Sequence, residues 1–288
     1  MHEGEVAIDD ALVKRLIASQ FPEYADRPLE LVRSTGTVNA IYRLGDDLCV
    51  RLPRVANWAG DLAKELEWLP RLAPRLSLMI PASVGHGHAT ADYPFTWAIY
   101  RWIDGKPYDG AVDERTAAEQ LAGFVTELRA MEVGPDAPSG GRPPLRELDS
   151  VTRKAIAAAR DVIDAGAAVT AWERALEAPP WDGVPVWIHT DLLRPNVLLR
   201  DGRLHAVIDF GGVGVGDPAA DVVAAWAMFG PKGRGAYRAA LDPDQGVWER
   251  ARGYALHQAA LIIPYYAVTN PGFVVDAKRT VEQLLIDP

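Results

Sequence analysis

Between Val186 and Phe210 the chain sets two carboxylates and a carboxamide, Asp191, Asn196 and Asp209, among apolar strand-forming residues. No histidine pair or cysteine set surrounds them. Their donors are hard oxygens, suited to Mg²⁺, an ion that keeps several waters and often shares substrate phosphates. The spacing also fixes a geometry. Asp201-Gly202 between two apolar runs is a two-residue hairpin signal, because both positions tolerate a positive φ. With those residues as the loop, Arg200 faces Arg203 and pairing continues to Asn196 opposite Val207. Asp209 lies two residues beyond, so Asn196 and Asp209 emerge at the same open end of one hairpin, and Asp191 sits on the loop leading in. The convergence reads as a metal–nucleotide site.

The elements that must hold such a site fall into two groups. Asp9 and Asp10 precede Leu12, Val13, Leu16, Ile17 and Phe21, an apolar stripe at helical spacing with acids at its positive end. Short strands are predicted at 29–33, 39–44 and 48–52, the last two joined by the turn residues Gly45-Asp46-Asp47. Asn57 is the predicted cap of a helix carrying Leu62, Leu66, Leu69 and Leu72, closed by Pro74, and strands follow at 82–84 and 95–103. From Asp113 onward helical patterns dominate, at 113–131, 146–165, 168–178, 217–229, 247–263 and 273–286. The turn-rich Asp104-Gly-Lys-Pro107 marks the expected boundary, giving an N-terminal nucleotide-binding lobe over 1–103 and a C-terminal catalytic and acceptor-binding lobe over 104–288.

The 288 residues are 49% hydrophobic, enough for a substantial core and a cleft. Thirty basic against 39 acidic residues, a formal net charge of −9, is the wrong sign for holding a phosphate backbone, so nucleic acid is not an expected partner. The lone Cys49 makes no internal disulfide, which suits a reducing compartment. Met1 to Asp10 lacks the apolar stretch of a signal peptide, and the apolar run from Ala259 to Val268 is broken by Pro264. A cytoplasmic protein without a membrane partner is expected.

His189, Asp191 and Asn196 in the pattern His-x-Asp-x-x-x-x-Asn, with Asp209 on the next strand, resemble the signature of the protein-kinase-like fold. More closely, Trp187-Ile-His-Thr-Asp191, Ala206-Val-Ile-Asp-Phe210 and Gly216-Asp-Pro-Ala-Ala-Asp221 resemble the aminoglycoside phosphotransferase family of antibiotic kinases, over nearly the whole chain. The resemblance implies an α+β, two-lobed fold: a small antiparallel-sheet lobe with a helix, then a larger, mainly helical lobe. It implies Asp191 as the base that accepts or orients the proton of the attacking hydroxyl, with Asn196 and Asp209 holding Mg²⁺ against the phosphates of ATP or GTP. His189 and Asp221 are implied as supports of the loop, the latter tying down its backbone. Asp217-Pro218 reads as a helix cap followed by proline at the first helical position.

The chain departs from the family at Thr190, where relatives carry glycine, and at Leu193-Arg194-Pro195, where many carry a Pro-Gly element. Arg194 stands within reach of the transferring phosphate, where a guanidinium stabilises developing charge; a surface role, or pairing with a loop acid, fits its position equally. Ser34-Thr-Gly-Thr-Val-Asn39 resembles the nucleotide loop with a single glycine, leaving the Ser34, Thr35 and Thr37 hydroxyls and backbone N–H groups to meet phosphates. Arg51 stands where kinases place a strand lysine, and Glu65 where its ion-pair partner sits; the plain alternative is a strand-edge arginine and a surface glutamate. The Arg101 carbonyl and Ile103 amide are the candidates for the nucleotide base, with Trp97 and Trp102 as packing residues.

Residues 104–288 carry 19 basic and 26 acidic residues, against 11 and 13 in residues 1–103, which favours a cationic, aminoglycoside-like acceptor. Tyr265 and Tyr266 suit an apolar macrolide equally, and a sugar or amino-alcohol kinase shares the same chemistry. A nucleotide-binding pseudoenzyme regulator is the reading of another class, and Asp191, Asn196 and Asp209 together argue against it, since a binder needs no base. A protein-directed kinase lacks room for an activation segment between Asp209 and Asp217.

Overall fold

Side-chain alternation builds the first part of the chain, in a computed structural model that describes residues 5–32 and 39–287. Strands β1 (Leu29–Leu31), β2 (Asn39–Leu44), β3 (Leu48–Pro53), β4 (Ser83–Gly87) and β5 (Trp97–Arg101) form one antiparallel sheet in the order β1-β2-β3-β5-β4. Leu48, Val50 and Leu52 of β3 and Trp97 and Ile99 of β5 face a core shared with Leu12, Val13, Leu16 and Ile17 of helix α1 (Asp10–Gln20). Asp9 caps that helix, its carboxylate accepting the Leu12 N–H at 2.8 Å. The alternate positions, Cys49 on β3 and Ala98 and Tyr100 on β5, pack with Leu62 and Leu66 of α2 (Ala56–Leu72). Arg51 shares that parity, so a period of two turns it toward α2. Helix α2 begins at Ala56, and the cap position falls on Val55, two residues ahead of the predicted Asn57, with an extended backbone (φ −138°, ψ 150°).

The remaining elements are mostly helical. Strands β6 (Lys106–Pro107), β8 (Val197–Arg200) and β9 (Arg203–Val207) form one small sheet, and β7 (Val186–Ile188) pairs with β10 (Gly214–Gly216). Around them lie α3 (Glu114–Arg129), α4 (Leu145–Ala158), α5 (Ala165–Leu176), α6 (Ala219–Val222), α7 (Ala224–Ala227), α8 (Pro231–Leu241), α9 (Gln245–Tyr265) and α10 (Pro271–Leu285). The helix predicted at 217–229 is interrupted at Val223 into α6 and α7. Helix α8 was not predicted, since Gly233 and Gly235 weaken its pattern. The structure gives Gly233 a purpose: a β-carbon there would lie 2.9 Å from that of Phe229 and 3.1 Å from that of Glu114, so its absence lets α8 close on α3. Packing overrides propensity.

By their packing the residues divide into two units, Met1–Pro74 with Met79–Asp104 and Ile208–Gly211, and Arg75–Leu78 with Gly105–Val207 and Gly212–Pro288. Among the described residues no helix is long and apolar enough to cross a membrane.

Helix α9 is buried along most of its length, including Arg250, Arg252 and His257. Arg250 resolves its charge against Asp217 with bonds of 2.7 and 3.0 Å. His257 meets Thr152 Oγ1 of α4 at 2.7 Å through Nδ1, and burial, assisted by the nearby Arg142, holds it down at about 4 against its ordinary 6.5. The unfolded chain therefore takes a proton near pH 6.5 that the folded chain refuses until about pH 4, and stability present above that window is lost as pH falls through it. The urea midpoint is expected to drop between pH 7 and 4.5 more steeply for the unsubstituted protein than for His257→Gln; equal slopes in circular dichroism would refute the assignment.

Candidate active site

The loop joining β7 to β8 carries the residues singled out in the sequence, and one buried carboxylate shapes it. Asp221, fully buried on α6, accepts the His189 N–H at 3.1 and 3.0 Å through its two oxygens and the Thr190 N–H at 2.8 Å. His189, equally buried, accepts the Asp191 N–H on Nδ1 at 3.2 Å. The chain then turns tightly, Leu193 N–H donating to the Asp191 carbonyl at 2.9 Å and Asn196 N–H to the Leu193 carbonyl at 2.9 Å. Asn196 closes the turn with its side chain: Nδ2 donates to the Asp191 carbonyl at 3.0 Å and to Asp191 Oδ2 at 2.7 Å. Gln258 of α9 donates from Nε2 to the other carboxylate oxygen, Oδ1, at 2.6 Å. Asp191 is thus gripped by an amide on each oxygen.

The hairpin after this loop differs from the predicted register by one residue. Arg200 faces Arg203 as expected, but a bulge at His205 shifts the pairing so that Val197, rather than Asn196, lies opposite Val207. Asn196 instead ends the short 3₁₀ turn Arg194–Asn196, which is what aims its amide back at Asp191.

Thr190 adopts φ +78°, a left-handed conformation costly for a β-branched residue and natural for glycine. Both its peptide groups are tied: the N–H to Asp221 at 2.8 Å and the carbonyl to Arg142 Nη1 at 3.1 Å. Its hydroxyl lies over Gly212, where an added β-carbon would stand 2.0 Å from Oγ1. The threonine is accommodated because position 212 has no side chain.

In the first unit, Arg51 Nη1 meets both oxygens of Glu65, on α2, at 2.8 and 2.6 Å. Glu65 is fully buried and also accepts from the Tyr100 hydroxyl at 3.3 Å, so the surface-glutamate alternative falls. Burial alone would lower the Arg51 guanidinium, but Glu65 and then Asp209 outweigh it and hold it raised; burial pushes the Glu65 carboxyl up while Arg51 draws it back. With its amide turned to satisfy its neighbours, Asn39 accepts from Arg51 Nη2 and Nε at 3.0 and 3.1 Å. Asp209, also left-handed at φ +64°, sits with Oδ1 3.4 Å from Arg51 Nη2 and its side chain half exposed.

The structure therefore brings together His189, Asp191, Asn196 and Asp221 in one unit, and Arg51, Glu65 and Asp209 in the other. Other predicted positions fare differently. Arg194 turns into the helices, neither at the surface nor on a loop acid: Nε and Nη2 donate to the Met228 carbonyl at 3.3 and 3.1 Å, and Nη1 lies 3.8 Å from the helical Asp276 on α10. Asp217 accepts the Ala219 N–H at 2.9 Å, acting as a cap from one residue outside the predicted position because Pro218 is itself the boundary residue; its main partner is Arg250. Arg101 ends β5 with its N–H on the Ala82 carbonyl at 2.9 Å, and Trp102, packed under the Arg43 guanidinium, donates its N–H to Asp47 at 2.8 Å just ahead of Ile103. Trp97 is a core residue edge-on to Phe21. Ser34, Thr35 and Thr37 lie outside the described residues.

Sequence reasoning missed Gln258 and Arg142. Nothing in local spacing marks them, since one lies mid-helix and the other in a Pro/Gly-rich loop. Gln258 itself lines a small hollow, with Leu193, Pro195, Val223, Ile262, Phe273 and Asp276 among its other walls. Burial raises the Asp276 carboxyl, with Arg194 and Arg279 drawing it back, and burial next to Arg194 lowers Arg279 to about 10.

The donor chemistry fits Mg²⁺. Asn196 spends Nδ2 on Asp191, which leaves Oδ1 as its remaining side-chain donor atom, and in the other unit Asp209 has a half-exposed carboxylate. No cluster of three or more His, Cys, Asp or Glu side chains able to hold a metal occurs among the described residues. Hard oxygen donors of this kind suit Mg²⁺, which completes its shell with water and phosphate.

An antiparallel-sheet unit with a packed helix carrying the Arg51 partner, followed by a helical unit with this loop and hairpin, defines a protein-kinase-like phosphotransferase fold. The family model described as APH, phosphotransferase enzyme family, matches residues 31–255, and the chain belongs to that family. No curated protein matches the sequence significantly. Among solved structures, the GDP complex of wild-type aminoglycoside 2′-phosphotransferase-IIIa is similar at 19% identity with a TM-score of 0.72, covering 97% of this chain and 99% of that one. A macrolide 2′-phosphotransferase from Brachybacterium faecium, without ligand, is similar at 23% identity and a TM-score of 0.60, covering 94% and 98%. Both likenesses concern the fold.

The Thr190–Gly212 contact yields a paired expectation. Gly212→Ala should destabilise by about 1–3 kcal/mol through overpacking, and Thr190→Gly should restore most of that in the double variant. Chemical denaturation of the four proteins checks it; additive losses would show that the two positions do not share one space.

Proposed function

We propose that this protein is a Mg²⁺-dependent kinase that transfers the γ-phosphate of ATP or GTP to a hydroxyl of a small molecule. The observation that carries this reading is Asp191, a carboxylate gripped on both oxygens yet placed on a loop rather than in a core, on the same turn as an asparagine whose amide oxygen is left for a metal. In this reading Asp191 accepts or orients the proton of the attacking hydroxyl, and Asn196 and Asp209 hold the ion that neutralises charge on the phosphates. Arg51, fixed by Glu65 and reaching Asp209, contacts the phosphates in the place of a strand lysine. Ser34, Thr35 and Thr37 supply the phosphate loop, and the Arg101 carbonyl and Ile103 amide the base contacts. Arg194 supports the loop rather than the phosphate, given its bonds to Met228. Such chemistry draws on the nucleotide pool of the cytoplasm, and the lone Cys49 suits that compartment.

For the acceptor we infer an aminoglycoside-like compound, supported by the acidic excess of residues 104–288 and by similar structures whose complexes hold kanamycin or gentamicin. A macrolide is the second reading, supported by the edge-on pair Tyr265 and Tyr266 at the end of α9 and by the similar macrolide 2′-phosphotransferase.

Product mass from a panel of aminoglycosides, macrolides and sugars, with ATP and GTP, decides among these. Asp191→Ala is expected to lower kcat by about 10²–10⁴-fold, the range for a removed general base. Asp209→Asn should abolish metal-dependent turnover with little change in the denaturation midpoint; unchanged turnover in either variant would overturn the assignment.

A further inference from the structure

Gln258 is a half-buried polar residue on a largely apolar helix. Its neighbours along α9, Ala255, Leu256, Ala259 and Ala260, are all buried. Yet its Oε1 is buried without a hydrogen-bond partner among the described residues, while Nε2 donates to Asp191 Oδ1 at 2.6 Å. Turning the amide round gives no relief, because the Asp191 carboxylate only accepts and two oxygens would then oppose each other at that distance. A buried carbonyl with no donor is destabilising, and a methionine of similar volume would fill the space without one. The bond to Asp191 is what the amide contributes there.

We propose that Gln258 is a positioning residue for phosphoryl transfer, locking the rotamer and plane of the Asp191 carboxylate together with Asn196. This rests on the phosphotransfer reading above, in which Asp191 meets the acceptor hydroxyl. Asn196 takes one lone pair of Oδ2 and Gln258 one of Oδ1, from opposite sides of the sequence and from different elements, the loop turn and α9. Rotation about the carboxylate bond would break both, so the plane of the carboxylate is held. An acceptor hydroxyl meets a carboxylate already in place, and misplacement by about 1 Å is enough to cost two orders of magnitude in rate. Stability is sacrificed at Oε1 to hold that plane.

The test combines kinetics, stability and a spectroscopic signature. Gln258→Met is expected to lower kcat by about 10- to 100-fold, with the nucleotide KM within about twofold and a Tm equal to or above that of the unsubstituted protein. Gln258→Glu, the same shape as glutamine but presenting an acceptor to Asp191, should fall below the Met variant, and Gln258→His, which keeps an N–H donor, should lie above it. In ¹H–¹⁵N spectra, a Gln258 side-chain amide proton should resonate downfield and return to the ordinary region in Asp191→Ala, whatever the acceptor. Unimpaired kcat in the Met variant, a kcat loss that merely follows Tm, or an amide resonance indifferent to Asp191→Ala would each overturn the proposal. An inactive Asp191→Ala beside a fully active Gln258→Met removes only the positioning role; a fully active Asp191→Ala removes the phosphotransfer reading with it.

Discussion

The Asp221 carboxylate is the constraint on which the rest of the site depends. A fully buried charge survives only where its lone pairs are filled, and here they are filled by the N–H groups of His189 and Thr190. Those bonds take up the backbone donors of a loop that has left β7 and can no longer be satisfied by a strand. They also impose the left-handed turn at Thr190, which directs the chain so that Asp191 follows with its N–H on His189. Everything beyond, the tight turn at Leu193 and the return of Asn196 toward Asp191, inherits its direction from this anchor. Tyr237 of α8 donates its hydroxyl to the Asp221 carbonyl at 3.0 Å, so α8 secures the short helix that bears the anchor.

The other unit solves a similar problem with opposite charges. Glu65 is buried against Arg51, and neither would be tolerated alone, since removing one partner of such a pair leaves an uncompensated buried charge. The pair arises from two periodicities meeting: a strand's period of two puts Arg51 on the side of the sheet away from α1, and helical spacing puts Glu65 on the face of α2 with Leu62 and Leu66. Asn39 and Asp209 then occupy the remaining guanidinium edges. A fixed cation next to a half-exposed carboxylate is what a phosphate and a metal ion require.

The charge of the chain gains a finer meaning. Its acidic excess is a property of the surface taken whole, while the cavity beside the loop pairs Asp276 with Arg194 and Arg279 under apolar walls. Bulk charge steers an encounter over a Debye length, but the lining of a cavity decides what is retained.

Much of the site was legible in the sequence because its signals are local. The Asp201-Gly202 turn sets the hairpin, the spacing of His189, Asp191 and Asn196 sets the loop, and alternation in β2, β3 and β5 sets the sheet. The one-residue shift of Asn196 was not legible, because the bulge at His205 reflects pairing across strands. Nor was α8, whose glycines argue against a helix until the close approach of Phe229 and Glu114 is seen. Arg194 and Gln258 exchange importance for the same reason: a guanidinium near a motif looks reactive, and a glutamine mid-helix looks inert. Sequence by itself determined which residue types could do the chemistry and the elements that bear them, since both follow from local spacing. Only the tertiary structure decided that Gln258 and Asn196 share one carboxylate and that Thr190 fits above Gly212, because those contacts join residues whose separation along the chain carries no record of their distance in space.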